Sequence, residues 1–175
     1  MNYCVLWCVK KIVLELATGT GVDCEKYREQ RQSYRATDAS PEMIAEARRD
    51  NRSAKLHFSV QDMFHLPYAD ESFDVIIVAN ALHIVPEPEK ALSEIRRVLR
   101  DDGVLVAPTF THADNSFFGK VKGFFMKLAG FPLHSKWASE EYLAFLRENG
   151  WMVQKSTVLK ASFPLAYAEC AKSEV

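Results

Sequence analysis

The sequence is poor in the features that mark fibrous, secreted or membrane-crossing chains. Seven glycines and seven prolines make 14 of 175 residues, about 8%, against an average usage of roughly 12%, which sets aside collagen-like and low-complexity readings. Its four cysteines, Cys4, Cys8, Cys24 and Cys170, form no C-x-x-C pair and have no histidine at a zinc spacing. Neither a disulfide framework nor a metal site is expected, only free and mostly buried thiols. Charge of one sign is also lacking: 22 Lys+Arg against 23 Asp+Glu leave a formal net charge of −1, whereas a nucleic-acid partner needs a basic surplus. No stretch approaches the ~20 apolar residues that cross a bilayer. Residues 3–9 are apolar, but Lys10 and Lys11 follow them, the reverse of a secretory signal. The expectation is a cytoplasmic protein of one domain, with 48% hydrophobic positions available for a core.

What is present is an alternation of strands and helices. Ile12 to Ala17 reads as a buried strand that runs into the turn Gly19-Thr20-Gly21. Ser40-Pro41-Glu42 opens a helix, with Ser40 as cap and Met43, Ile44 and Ala47 as its inward face. Lys55 to Val60 is a second apolar stretch, and Phe73 to Ala79 is apolar enough for a parallel strand covered on both faces. Ala91, Leu92, Ile95, Val98 and Leu99 form one helical stripe, ended by Asp102-Gly103 before a strand at Val104–Ala107. A helix over Ser139–Asn149 closes at Gly150, and strands at Trp151–Leu159 and Leu165–Ala171 follow. This order predicts an α/β, Rossmann-like, doubly wound and mostly parallel sheet, with one antiparallel strand near the C-terminus.

In such sheets ligands bind beyond the carboxyl ends of the strands, and four clues fall there. The turn at Gly19 and Gly21 lets a ligand approach backbone. Asp38, 17 residues past Gly21, is placed to accept the hydroxyls of a ribose. Gln61-Asp62-Met63 follows the third strand and Asn80 the fourth. A dinucleotide fingerprint needs a third glycine where Cys24 stands, so an NAD-dependent oxidoreductase is disfavoured. Glu15, just before the turn, would repel a pyrophosphate and welcome an ammonium group. The site suits a nucleoside joined to an amino acid.

Residues 11–110 resemble the class I S-adenosylmethionine (SAM) dependent methyltransferases of the small-molecule type, which include quinone-biosynthesis methyltransferases. The likeness lies in Val13-Leu14-Glu15-Leu16-Ala17-Thr18-Gly19-Thr20-Gly21, in Thr37-Asp38-Ala39-Ser40-Pro41-Glu42-Met43, and in Gln61-Asp62-Met63 with Leu66-Pro67. It continues from Phe73-Asp74 to Leu82-His83 and from Glu94 to Gly103. Four motifs in this order are specific where one alone is not. The resemblance implies SAM as cofactor. Glu15 would face its amino group, with Ala17, Gly19 and Gly21 in the turn beneath its methionine part. Asp38 would hold the ribose, Ala39 and Met43 would lie near the adenine, and Asp62 and Met63 would meet the adenine amino group. Asn80, Ala81 and His83 would sit where donor and acceptor meet, with His83 as candidate general base for a small, hydrophobic acceptor.

Three departures from the pattern carry weight. Ala17 fills the first glycine position of the signature, and only about ten residues precede the first strand. Residues 22–36 lack an apolar face, and Tyr34-Arg35-Ala36-Thr37 reads as a poor central strand. A weakened cofactor site follows from that block, and with it a second reading: a SAM- or nucleoside-binding module with little or no turnover. Within the single domain 1–175, residues 111–138 form a lid-like insertion rich in phenylalanine and lysine, and residues 139–175 the C-terminal helix and strands. The insertion is expected to cover the acceptor and to offer peripheral membrane contact.

Overall fold

The computed structural model describes residues 11–21, 33–49, 53–111, 137–159 and 164–174. Cys4, Cys8 and Cys24, residues 22–32 of the departing block and the aromatic body of the insertion lie outside these residues.

Eight strands build one sheet: β1 (Ile12–Leu16), β2 (Ser33–Asp38), β3 (Leu56–Val60), β4 (Phe73–Val78), β5 (Leu99–Val106), β6 (Thr109–Phe110), β7 (Trp151–Leu159) and β8 (Leu165–Lys172). β3, β2, β1, β4 and β5 lie side by side in that order and run parallel. From β1 the chain goes out to one side and returns to the other, which puts the switch point between β1 and β4. β8 is antiparallel to β5 and lies between it and β7. The expected mostly parallel sheet with its late antiparallel strand is what forms. The short β6 continues the β5 ladder along β8, on the far side of Pro108, in the same register.

Continuous apolar runs are buried on both faces. Every residue of β4 is buried, as are Val13 to Leu16 of β1. On one face Leu14, Leu16, Ile76 and Val78 pack with α2 (Pro88–Val98) through Ala91, Leu92, Ile95 and Val98, and with α3 (Ser139–Glu148) through Tyr142, Leu143 and Leu146. On the other, Val13, Tyr34, Ala36, Val75 and Ile77 pack with Ile44 and Ala47 of α1 (Pro41–Arg49). The acid that opens β4, Asp74, is held by the Ile12 N–H at 2.7 Å and by Arg100 at 2.7 Å. Cys170 is a buried free thiol on β8, and burial pushes its pKa up to about 12.

Three expectations need correction. Residues 33–38 are a regular strand despite their weak propensity: β2 pairs with β1 on one side and β3 on the other, turning Tyr34 and Ala36 inward and Arg35 outward. Pairing with two neighbours overrides intrinsic preference. Met43 does not belong to the inward face of α1; it is 43% exposed, while Ile44 and Ala47 are buried. Finally, α2 ends at Val98, and Leu99 to Val106 is one strand that passes through Asp102-Gly103 with a register shift between Phe73 and Val75. A Cβ at Gly103 would lie 2.7 Å from the Leu99 side chain and 2.9 Å from the Arg100 carbonyl, so this glycine serves the irregularity and does not break the chain.

The connection from β3 to β4 has no regular structure, and α2 holds it. Arg97 donates to the carbonyls of Leu66 (3.0 Å) and Tyr68 (2.8 Å) and pairs with Glu94 and Asp70, each at 2.7 Å. Glu94 in turn accepts the Leu66 N–H at 2.8 Å. The Arg97 guanidinium first, and the Leu66 N–H after it, hold the Glu94 carboxyl below the usual carboxylate range. Arg97→Ala is expected to cost about 2–3 kcal/mol in denaturant unfolding, because it leaves two carbonyls and a carboxylate without their donor. Glu94 is lower in the folded than in the unfolded state, so its contribution is present above the unfolded value of roughly 4.3 and lost as pH falls through the folded value. The acid-side loss of stability is therefore smaller in the variant than in the wild type.

Candidate functional site

Parallel pairing levels the carboxyl ends of four strands. Leu16 stands opposite Thr37 and Val78, and Asp38 opposite Val60. The turns that follow β1, β2, β3 and β4 therefore leave one edge of the sheet together. They carry Ala17, Gly19 and Gly21, then Ala39, then Asp62 and Met63, then Asn80 and Ala81.

The first turn takes three positive φ angles in five residues: Ala17 at 54°, Gly19 at 58° and Gly21 at 76°. The two glycines serve different ends. A Cβ on Gly21 would lie 2.9 Å from the Phe58 ring and 3.2 Å from the Ala47 Cβ, so Gly21 lets the turn pack on β3 and α1. Among the described residues, a Cβ on Gly19 would meet nothing within 4 Å, so no described side chain fills the space above it. Beside that space stands Asp38. Its Oδ2 accepts the Gly19 N–H and its Oδ1 the Ser40 N–H, both at 2.9 Å. A carboxylate offers about four lone-pair positions, so two remain for a ligand. Ser40 is also the cap of α1, accepting the Met43 N–H at 3.2 Å. The exposed Ala39 and Met43 flank this corner.

Glu15 is buried and precedes the turn on the face of Val13; it accepts a hydrogen bond from the Tyr34 hydroxyl. Asp62 is exposed, with Oδ1 accepting the Phe64 N–H at 2.9 Å and Oδ2 3.1 Å from His65 Nδ1. The Phe64 N–H first and His65 second hold its carboxyl below the ordinary value. Met63 packs against the core. Asn80 has φ of 54°, and its N–H donates to the Pro108 carbonyl at 2.8 Å. Its Oδ1 is buried without a hydrogen-bond partner, a polar atom that a ligand could satisfy. Ala81 is core, and His83 is buried with Nδ1 2.7 Å from Thr109 Oγ1.

A hollow that no described side chain fills, two unfilled acceptor positions on Asp38 and an orphaned amide oxygen fit a nucleoside-bearing ligand along this edge. An open groove of about 950 Å³ between Arg96, Gly103, Met152 and Lys172 lies instead at the opposite end of β5 and is not where an open α/β sheet binds ligand. Two participants escaped the sequence reading, Tyr34 and Thr109. The period-2 pairing of Tyr34 with Ala36 was the available signal for the first; a two-residue strand after a proline left none for the second.

Residues 14–107 match the family described as "Methyltransferase domain". The chain is 38% identical over 100 residues to a demethylmenaquinone methyltransferase of Renibacterium salmoninarum, covering 57% of this chain and 41% of that protein. It is 31% identical over 159 residues to that of Thermobifida fusca, covering 87% and 67%. It thus spans about two fifths of the first relative's length. A solved SAM-dependent methyltransferase from Aquifex aeolicus superposes with a TM-score of 0.73 at 19% identity, covering 93% of this chain and 84% of that one, which speaks to the fold.

Ala17 holds a conformation that suits glycine. Ala17→Gly is expected to raise stability by about 1 kcal/mol, the approximate cost of a Cβ at positive φ. The midpoint of denaturant unfolding should rise with its slope unchanged; a fall would mean that the Ala17 methyl is worth more as packing than it costs as strain.

Proposed function

The chain belongs to the methyltransferase domain family, and from that premise we propose that it binds SAM at the carboxyl edge of β1–β4 and transfers a methyl group to a small, hydrophobic acceptor. The observation that carries this reading is the Asp38 carboxylate, clamped by Gly19 and Ser40 next to the space above Gly19 that no described side chain fills. When bound, SAM would supply an activated sulfonium methyl, which leaves the chain chiefly the task of holding donor and acceptor in line.

The residues divide that task. Asp38 takes the ribose hydroxyls, each hydrogen bond to the charged acceptor contributing ~1.5–3 kcal/mol. Glu15 serves the ammonium group, and Ala17, Gly19 and Gly21 keep the backbone bare beneath the methionine part. Ala39 and Met43 line the adenine, and Asp62 with the Met63 backbone meets its amino group. Asn80, Ala81 and His83 form the acceptor side. His83, whose Nδ1 lies 2.7 Å from Thr109 Oγ1, is the candidate base for an acceptor hydroxyl or enol. The relatives named demethylmenaquinone methyltransferases support an acceptor of quinol type. Residues 111–138 are assigned to its cover, of which Trp137, stacked 4.6 Å from Phe145, is described. Among the described residues no helix is long and apolar enough to cross a membrane.

Two measurements test the proposal. In calorimetry the wild type binds SAM and not NAD, and Asp38→Ala weakens SAM binding at least tenfold, the loss of one such hydrogen bond. Wild-type affinity in that variant would place the nucleoside elsewhere. Transfer of a radiolabelled methyl from SAM to demethylmenaquinol separates an enzyme from a binding module. His83→Asn should then lower turnover about 10²–10⁴-fold and leave SAM affinity as it was.

A further inference from the structure

Tyr34 lies in the stretch that departs most from the family pattern, and its hydroxyl donates to the carboxylate of Glu15. We propose that Tyr34 is a positioning residue for Glu15: it orients that carboxylate toward the ammonium group of the cofactor and so sets a preference for ligands with an amino-acid tail over the bare nucleoside. The inference rests on the SAM-binding reading and extends it.

The geometry follows from register. Tyr34 on β2 stands opposite Val13 on β1, one step below Glu15 on the same face, so a tyrosine ring spans the step and delivers its hydroxyl to the carboxylate. Tyr34 is 2% exposed and Glu15 6%. A hydroxyl this deeply buried is expensive unless bonded, and phenylalanine or valine would fill a sheet face without that demand. The chemistry of the donor matters as well. A phenol holds a buried carboxylate through a hydrogen bond and itself adds no positive charge. The Thr37 hydroxyl fixes the same residue from the backbone side, donating to the Glu15 carbonyl at 3.0 Å.

Tyr34→Phe keeps the ring and removes the hydroxyl. The probes are S-adenosylhomocysteine and 5′-methylthioadenosine, which share adenosine and a thioether and differ by the amino-acid tail. Calorimetry should show S-adenosylhomocysteine weakened about five- to tenfold in the variant and 5′-methylthioadenosine unchanged within twofold. Glu15→Gln should lower the ratio of the two affinities by at least as much, and adding Tyr34→Phe to it should change that ratio no further. Equal weakening of both ligands, or an additive double variant, would assign Tyr34 to packing alone and overturn the proposal. If Tyr34→Phe does not fold, Glu15→Gln decides: an unchanged ratio there removes the ammonium role and the proposal with it. Failure of the wild type to bind either ligand would instead sink the SAM reading.

Discussion

Two turns meet on one carboxylate. Asp38 ties the Gly19 N–H of the turn after β1 to the Ser40 N–H of the turn after β2, and the candidate site is arranged around that junction. The bond requires Gly19 at positive φ, which keeps side-chain bulk out of the hollow. It also requires Asp38 at the end of β2, one residue past Thr37, which the parallel register sets opposite Leu16. Ser40, the second donor, caps α1 and so places Ala39 and Met43 at the rim. Charge-assisted hydrogen bonds of this kind are stronger than neutral ones, and here they stabilise the turn conformations that a ligand would need in place beforehand.

The remaining edges are held from behind. The connection that presents Asp62 has no repeating structure of its own, yet Arg97 and Glu94 of α2 bind Leu66, Tyr68 and Asp70 within it. After β4, Asn80 is fixed by Pro108, which lies between β5 and β6, and His83 by Thr109 of β6. That segment is anchored in turn because the β5 ladder resumes along β8 in unchanged register. The late antiparallel strand thus supports the turn after β4 from two places away in the sheet order.

Much of this was legible from sequence wherever local chemistry dictates local shape. Ser40-Pro41 signals a helix start, Gly19 and Gly21 a bare turn, and the apolar run at Phe73–Val78 a strand covered on both faces, and each stands where expected. Three expectations failed, each for its own reason. Tyr34-Arg35-Ala36-Thr37 has little strand propensity, and it is a strand because β1 and β3 offer ladders on both sides. Asp102-Gly103 looks like a stop, and it is an irregularity inside β5 because Leu99 and the Arg100 carbonyl leave no room for a Cβ. Met43 matches a helical stripe but lies at the surface, 43% exposed, while Ile44 and Ala47 supply the buried face of α1. For β2 the deciding partners lie far along the chain, and no window of ten residues contains them.

The kind of donor given to each acid separates scaffold from site. Acids that secure the framework are paired with cations: Asp74 with Arg100, Glu94 with Arg97, Asp101 with Lys172 and the buried Glu169 with Lys155. Their charge is spent within the protein. Asp38 is held by two backbone N–H groups, Asp62 by a backbone N–H and an imidazole, and the Tyr34 bond to Glu15 adds a donor without a charge. A backbone N–H or a hydroxyl fixes a carboxylate's position without itself placing a cation against it. On the SAM reading, such a row of acids along one sheet edge would orient a cationic, hydroxyl-rich ligand with groups already fixed in their turns, and would repel a phosphate-rich dinucleotide whatever the glycine count of the first turn.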